Sequence, residues 1–245
     1  LLPVKLQGKL SSMNEFHVNN FSDLHTLLGR YRRDNRWAFR GHSDPEWQLI
    51  PKAGRPPFWG HDERRIFEAW KRRAIEYITI HPNDDWGWLA IAQHHGLATR
   101  LLDWTYNPLA AAFFAVSEHI DTHAFVYAYK SAKVVIPEKI HPIDFRGVAL
   151  FKPMGVVPRI IRQGGLFTVH GKPNLPMEGV IQEADELEKI VIDKAYRDEL
   201  VFELSHYGIN RATLFPDLDG LSAYVNWLTS NRTYWQVPIE SNDAI

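Results

Sequence analysis

The chain of 245 residues carries a formal net charge of −1, is 45% hydrophobic and 23% charged, and contains no cysteine. That length can bury one large core or two small ones, and the near-neutral balance gives no global pull toward nucleic acid or an anionic membrane. The lack of cysteine excludes disulfides, thiolate metal ligands and cysteine nucleophiles, and it fits a cytoplasmic protein.

The first ten residues, LLPVKLQGKL, show no signal-peptide pattern and no initiator Met, so a trimmed chain or a piece of a longer one is expected. Residues 13–19, MNEFHVN, alternate as an edge strand does, and Ser22 is placed to cap a short helix reaching about Tyr31. Trp37 to Gly41 then reads as a strand that ends on Arg40 and on a glycine able to turn sharply or approach another backbone. A loop follows over His42 to Glu46, and Trp47 to Ile50 is expected to extend again. From Asp62 to Ile80 apolar residues recur every three and four positions, predicting a long amphipathic helix whose Arg64, Arg65, Lys71, Arg72 and Arg73 read most simply as a solvated face.

Asn83 or Asp84 is expected to cap the next helix, which runs Trp86 to His95 and stops at Gly96. The stretch Ala92 to Ser117 is the most informative. Its segment Leu109 to Val116 has no polar face, so a helix there is expected to be buried all round, yet it is too short to span a bilayer. Arg100 and Asp103 stand just before it, at the edge of a core where charges must pair or serve a site. Either Arg40 or Arg100 could pair with Asp103.

Strands are predicted at Ala124 to Tyr129, Val134-Val135, Val148 to Phe151, Leu166 to His170 and Ile190 to Ile192, with a helical turn at Pro158 to Arg162. The acidic run Ala184 to Glu188 reads as solvated surface. A helix from Ala195 to Tyr207, a last strand over Ile209 to Leu214, and a helix reaching about Leu228 complete the pattern. Trp47, Trp59, Trp70, Trp86 and Trp88 are read as core. Helices grouped early and strands later predict one α+β domain, with residues 1–34 as an N-terminal strand and helix, 35–228 as the main domain and 229–245 as a tail.

Several blocks in order, Phe39-Arg40-Gly41, then Ala92 to Thr105 followed by Pro108-Leu109-Ala110-Ala111, then Arg162 to Phe167, and finally Leu214 to Gly220, resemble the FRG-domain family, named for its Phe-Arg-Gly motif. More distantly, the order of Arg40, of Trp104-Thr105 leading into an apolar helix, and of Gln163 to His170 resembles the ADP-ribosyltransferase fold, which implies a mixed or antiparallel sheet flanked by helices. That resemblance implies NAD as a candidate substrate, with Arg40, Asp103, Gln163 and His170 as catalytic candidates. Gly41, His95, Arg100, Trp104, Thr105 and Phe167 would line the ligand site. The glutamate that such enzymes use has no clear counterpart here, because Glu183, Glu186 and Glu203 lie in a polar run or a helix, and Asp103 could supply the carboxylate instead.

The partner expected on this reading is a nucleotide-like small molecule, with RNA or protein as acceptor, and no membrane. The alternative is a non-catalytic ligand or RNA recognition module of a bacterial or phage-defence protein. No metal is expected, since His119 and His123 flank a turn and no HExxH accompanies them; Asp103, Asp217 and Asp219 follow no ligand spacing. Nucleophile-elbow, Walker and dinucleotide-fingerprint motifs are absent from the sequence.

Overall fold

The computed structural model describes residues 13–118, 120–153 and 164–231. The turn expected at Pro158 to Arg162, the candidate Gln163, His119 and the tail beyond residue 231 lie outside them.

The described strands form a single mixed sheet of α+β architecture. β1 (Asn14–Val18) lies at one edge, parallel to β7 (Glu186–Ile192). β7 pairs with β4 (Ala124–Lys130), which pairs with β2 (Trp37–His42); β3 (Leu101–Thr105), β6 (Gly165–His170) and β5 (Val148–Phe151) complete the order β1-β7-β4-β2-β3-β6-β5. All pairs but β1–β7 are antiparallel.

Most of the described helices begin where a side chain can satisfy the free N–H groups of the first turn, the helix over Arg197–His206 being an exception. Asn20, rather than Ser22, caps α1 (Phe21–Leu28) by accepting from the Asp23 backbone N–H. Asp62 caps α2 (Glu63–Ala74), Asp84 caps α3 (Asp85–His94), and Asn107 caps α4 (Pro108–Val116), with Pro108 at the first helical position, where no donor is needed. α5 (Arg197–His206), α6 (Arg211–Leu214) and α7 (Leu218–Asn231) follow the last strand.

One face of the sheet carries two apolar clusters. Phe39, Val126, Ala128 and Ile190 pack beneath α4 with Leu200 and Leu204 of α5, while Leu101, Val169, Phe151 and Phe167 pack beneath Trp86, Leu89 and Phe67 of α3 and α2. The opposite face, with Ala38, Leu102, Trp104, Tyr127, Tyr129 and Leu166, is covered by Leu49 and Met177 from loops. α4 is buried as its composition predicts; Ala110, Ala111, Ala112 and Ala115 have no exposed surface.

Five expectations fail. The helix from residue 62 stops at Ala74 and tightens into a 3₁₀ turn over Ile75–Tyr77, leaving Ile75, Tyr77 and Ile80 in solvent, because the apolar period continues past the surface that can cover it. Trp47 to Ile50 makes no strand, and Val134 forms only an isolated bridge to Leu150. Ile209 to Leu214 is not a strand: Asn210 and Thr213 form a reciprocal capping box that starts α6. The acidic run is half structural, since Glu186 to Glu188 open β7 and Glu188, only 6% exposed, accepts from the Tyr31 hydroxyl at 2.7 Å and from Asn14 at 3.2 Å. An inward carboxylate on a strand is tolerated where donors meet it.

Gly41 sets the depth at which α4 rests on β2. A Cβ there would come 2.1 Å from the Ala111 carbonyl oxygen and 2.5 Å from the Ala115 nitrogen, both backbone atoms that cannot rotate away. Gly41→Ala is therefore expected to destabilise the protein by on the order of 3 kcal/mol, more than a surface substitution would, as overpacking against fixed atoms does. A denaturant melt showing less than about 0.5 kcal/mol of change, the usual surface-substitution range, would contradict this packing.

Candidate functional site

β2 and β3 are in register only where Phe39 faces Thr105, although both strands continue past that point. The ladder opens there, and Arg40 fills the opening: its Nη1 donates to the Asp103 backbone carbonyl at 2.7 Å, and its Nε donates to His42 Nε2 at 3.0 Å. Above the opening lies a cleft of about 420 Å³, between the C-terminal ends of α3 and α4. It is within the size range of small-molecule sites, roughly 300–1,000 Å³. Arg40 and Asp103 form its base; Phe113, Phe114 and Phe215 give an aromatic wall, with Ser43, Glu118 and Arg211 at its rim and Trp47 beside them.

Asp103 is the one exposed residue of a strand whose other four positions are buried, with a side chain 60% exposed. A short relay holds it: the Leu101 N–H donates to Thr99 Oγ1, Thr99 Oγ1 to Gln93 Oε1 at 2.6 Å, and Gln93 Nε2 to Asp103 Oδ2 at 2.8 Å. Arg40 Nη1 stands 3.9 Å from the same carboxylate oxygen. Burial lowers the Arg40 guanidinium from its ordinary value, opposed by Asp103 and reinforced by neighbouring Arg55. Arginine stays charged through such a shift. Its Nη2 has no hydrogen bond to protein among the described residues.

His42 is 1% exposed, and burial together with the Arg40 charge pushes its imidazole down to about 3. It is neutral. Because Nε2 accepts from Arg40, the ring proton sits on Nδ1 and is donated to the Trp47 carbonyl at 3.2 Å.

The structure separates the sequence candidates. Arg40, Gly41, Asp103, Trp104, Thr105 and Phe167 all contribute to the cleft. Gly41 does so while packing against α4. Thr105 Oγ1 accepts from the Asn107 N–H, fixing the turn into α4. Trp104 is buried with its Nε1–H on Thr168 Oγ1 at 3.0 Å, and Phe167 stacks on Phe151, so both are held by the core as well.

Arg100 does not meet Asp103. It is 5% exposed and pairs with Glu63 of α2 through Nε and Nη2, both at 2.9 Å, with Nη1 on the Ile143 carbonyl. This is an internal pair away from the cleft lining. His170 is wholly buried, its Nε2 2.8 Å from Thr168 Oγ1, and burial pushes it down to about 3. His95 caps α3 in solvent, whereas His94 lines the cleft, the two rings lying 4.9 Å apart. Gln163 is not among the described residues. Its neighbour Gly164, at φ +59°, accepts from the Tyr106 N–H and sits against Thr105, which explains the glycine where the chain turns into β6.

Sequence reasoning missed Gln93, Trp47 and the rim. Trp47, taken for core, is 43% exposed beside the cleft, and Trp59 is also in solvent. It also missed Arg197, a buried guanidinium donating to the carbonyls of Ser43, Thr122, Ala115 and Glu118, which ties α5 to the end of α4 and to the loop after β2. Cations favour such helix C-termini. The basic face of α2 is partly paired, Arg64 with Asp144 and Lys71 with Glu68 and Asp85. Glu68, Asp85 and His141 bring ligand atoms within 4.8 Å of one another, but the Lys71 ammonium already stands 2.6 Å from Asp85 and neutralises that charge. No described helix is long and apolar enough to cross a membrane.

An α+β sheet opened between two central strands, with one arginine and one carboxylate at the opening, carries a cleft of small-molecule size. The family model for the FRG domain matches residues 35–124, the span that runs from just before β2 to the start of β4 and includes Arg40, Gly41, Asp103 and α4. No curated protein and no solved structure matches the chain significantly.

The two buried histidines give a pH prediction. A histidine kept neutral in the fold but free to protonate when unfolded, near 6.5, destabilises the fold as pH falls below 6.5 and stops adding to the loss near 3. Each group should cost about 1.4 kcal/mol per pH unit inside that window. Denaturant midpoints measured from pH 7 to 4.5 should fall, and His170→Asn should flatten the slope. An unchanged slope would mean His170 is not neutral in the fold. Removing the internal pair by Arg100→Ala should cost about 3–5 kcal/mol, the typical loss when a buried ion keeps its charge without a partner, read in the same melts.

Proposed function

We propose that the cleft binds a nucleotide-like ligand, NAD in the first instance, and transfers ADP-ribose from it. The observation that carries this reading is the opening between β2 and β3, which sets a half-buried arginine beside an exposed carboxylate at the foot of an aromatic wall. The FRG-domain match and the order of β2, β3 and α4 support it.

Arg40 Nη2 would hold the pyrophosphate through its planar fork. Phe113, Phe114 and Trp47 offer flat apolar surface to a base or to nicotinamide. In the reaction the bond between ribose C1′ and the nicotinamide nitrogen breaks, and its electron pair leaves with nicotinamide. The acceptor lone pair forms the new bond to C1′, and Asp103 takes the acceptor's proton while its charge stabilises the oxocarbenium-like centre. Asp103 suits this role because Gln93 fixes one of its oxygens and leaves the group open to the cleft. His170 has no path to the ligand and is assigned a structural role.

Calorimetry with NAD at low salt, followed by a nicotinamide-release assay on the same sample, tests the reading. Arg40→Ala should weaken binding at least about tenfold, the typical loss of a charge-assisted hydrogen bond. Asp103→Asn should leave binding within about threefold but slow release by roughly a hundredfold, as loss of one electrostatic contact to a transition state does. Absence of NAD binding by the wild-type protein would overturn the reading in favour of a recognition module without turnover. Arg65, Arg72 and Arg73 would then be the phosphate contacts, and RNA binding would fall steeply with salt.

A further inference from the structure

The loop after β2 brings Trp47, which lines the cleft, back over His42, a residue behind the lining that the reading above does not use. His42 stands between two groups that face the cleft. Its Nε2 accepts the Arg40 Nε–H, and its Nδ1–H is donated to the backbone carbonyl of Trp47; the two rings, His42 and Trp47, also meet edge to face at 6.0 Å. Tyr127 closes the other side of the imidazole at 5.1 Å, so the ring cannot swing. A buried ring with both nitrogens used and aromatic neighbours on two sides is a rigid link.

Arg40 needs such a link. Its side chain reaches across an opened ladder, and Nη1 alone, on the Asp103 carbonyl, would leave the guanidinium free to rotate about that contact. With Nε fixed as well, the plane of the fork is set and Nη2 is the edge left over. Trp47, 43% exposed, is an indole that the core does not claim.

We infer that His42 is a positioning residue that fixes the Arg40 guanidinium plane and the Trp47 loop in one relation, so that the cleft selects ligands carrying a phosphate next to a planar aromatic ring. Its ligand-class half rests on the nucleotide reading; its geometric half does not.

The test separates the two. Thr105 and Asp103 stay untouched, and His42 is replaced in two ways: His42→Gln, whose amide oxygen can accept from Arg40 while its NH₂ donates to Trp47, and His42→Leu, which fills space with neither group. In the wild-type protein the Arg40 Nε–H should give a slowly exchanging resonance in a ¹⁵N spectrum, assigned by its loss in Arg40→Lys. His42→Leu should lose the protection and His42→Gln should keep most of it. Affinities for ADP and NAD should fall about tenfold in His42→Leu, consistent with misaiming one charged donor, and recover to within about threefold in His42→Gln. Inorganic pyrophosphate, which has no ring, should bind more weakly than ADP in the wild-type protein, and Trp47→Ala should erase that difference. A His42→Leu protein that melts as a folded chain and keeps the protected Nε–H would overturn the positioning role. Protection that depends on His42, with ADP, NAD and pyrophosphate all failing to bind, would uphold the geometry and overturn the nucleotide reading together with the ligand selection drawn from it. Equal binding of ADP by His42→Leu and wild type would overturn the link between geometry and affinity.

Discussion

Where β2 and β3 part, a carbonyl on each strand loses the partner that a continued ladder would have supplied. Arg40 answers for Asp103 by donating to its backbone oxygen, so a side chain takes the place of a strand. A carbonyl without its ladder partner needs a donor, and a guanidinium can serve it while keeping further donors for something else. Gly41, one residue on, lets α4 lie directly on the β2 backbone, and the cleft's aromatic wall stands where it does because no Cβ holds that helix off.

Three arginines at the edge of the core have three different fates, and the difference is the number of acceptors around each. Arg100 meets both oxygens of Glu63 and a carbonyl, so that each of its three side-chain nitrogens has an acceptor. Arg197 meets four backbone carbonyls and acts as a clamp on the C-terminal end of α4. Arg40, which lines the cleft, meets one carbonyl and one imidazole, with a carboxylate 3.9 Å off, and its Nη2 has no protein partner among the described residues. A guanidinium with five donors becomes a binding group when the fold uses only some of them.

The same logic orders the histidines and carboxylates. His170 is joined through Nε2 to Thr168 and through it to the Trp104 indole inside the sheet, while its buried Nδ1 has no partner among the described residues. His42 spends its own on two residues of the cleft. Glu188 is turned inward onto Tyr31 and Asn14, whereas Asp103 is turned outward and steadied from behind by Gln93 and Thr99. Exposure and second contacts, more than residue type, separate the groups that support the sheet from those offered to a ligand.

Local structure was largely legible in the sequence. Leu109 to Val116 has no polar face and follows Asn-Pro, so a capped, buried helix was readable there; Val148 to Phe151 and the Asp84 cap were readable for similar reasons. The importance of Arg40, Gly41 and Asp103 was also legible, because a charge and a glycine beside apolar runs break the local pattern. Periodicity, however, reports only the geometry of neighbours along the chain. It could not tell that Arg100 would choose Glu63, 37 positions away, over Asp103, three away, since that depends on where α2 docks. Nor could it tell that Asn210 and Thr213 would cap a short helix in a run apolar enough for a strand, or that Glu188 would face Tyr31 and Trp47 would face solvent. The sequence determined the elements and marked the residues that strain them. Tertiary structure decided which charges meet, because pairing across the fold is set by the packing of distant elements and leaves no trace in local spacing.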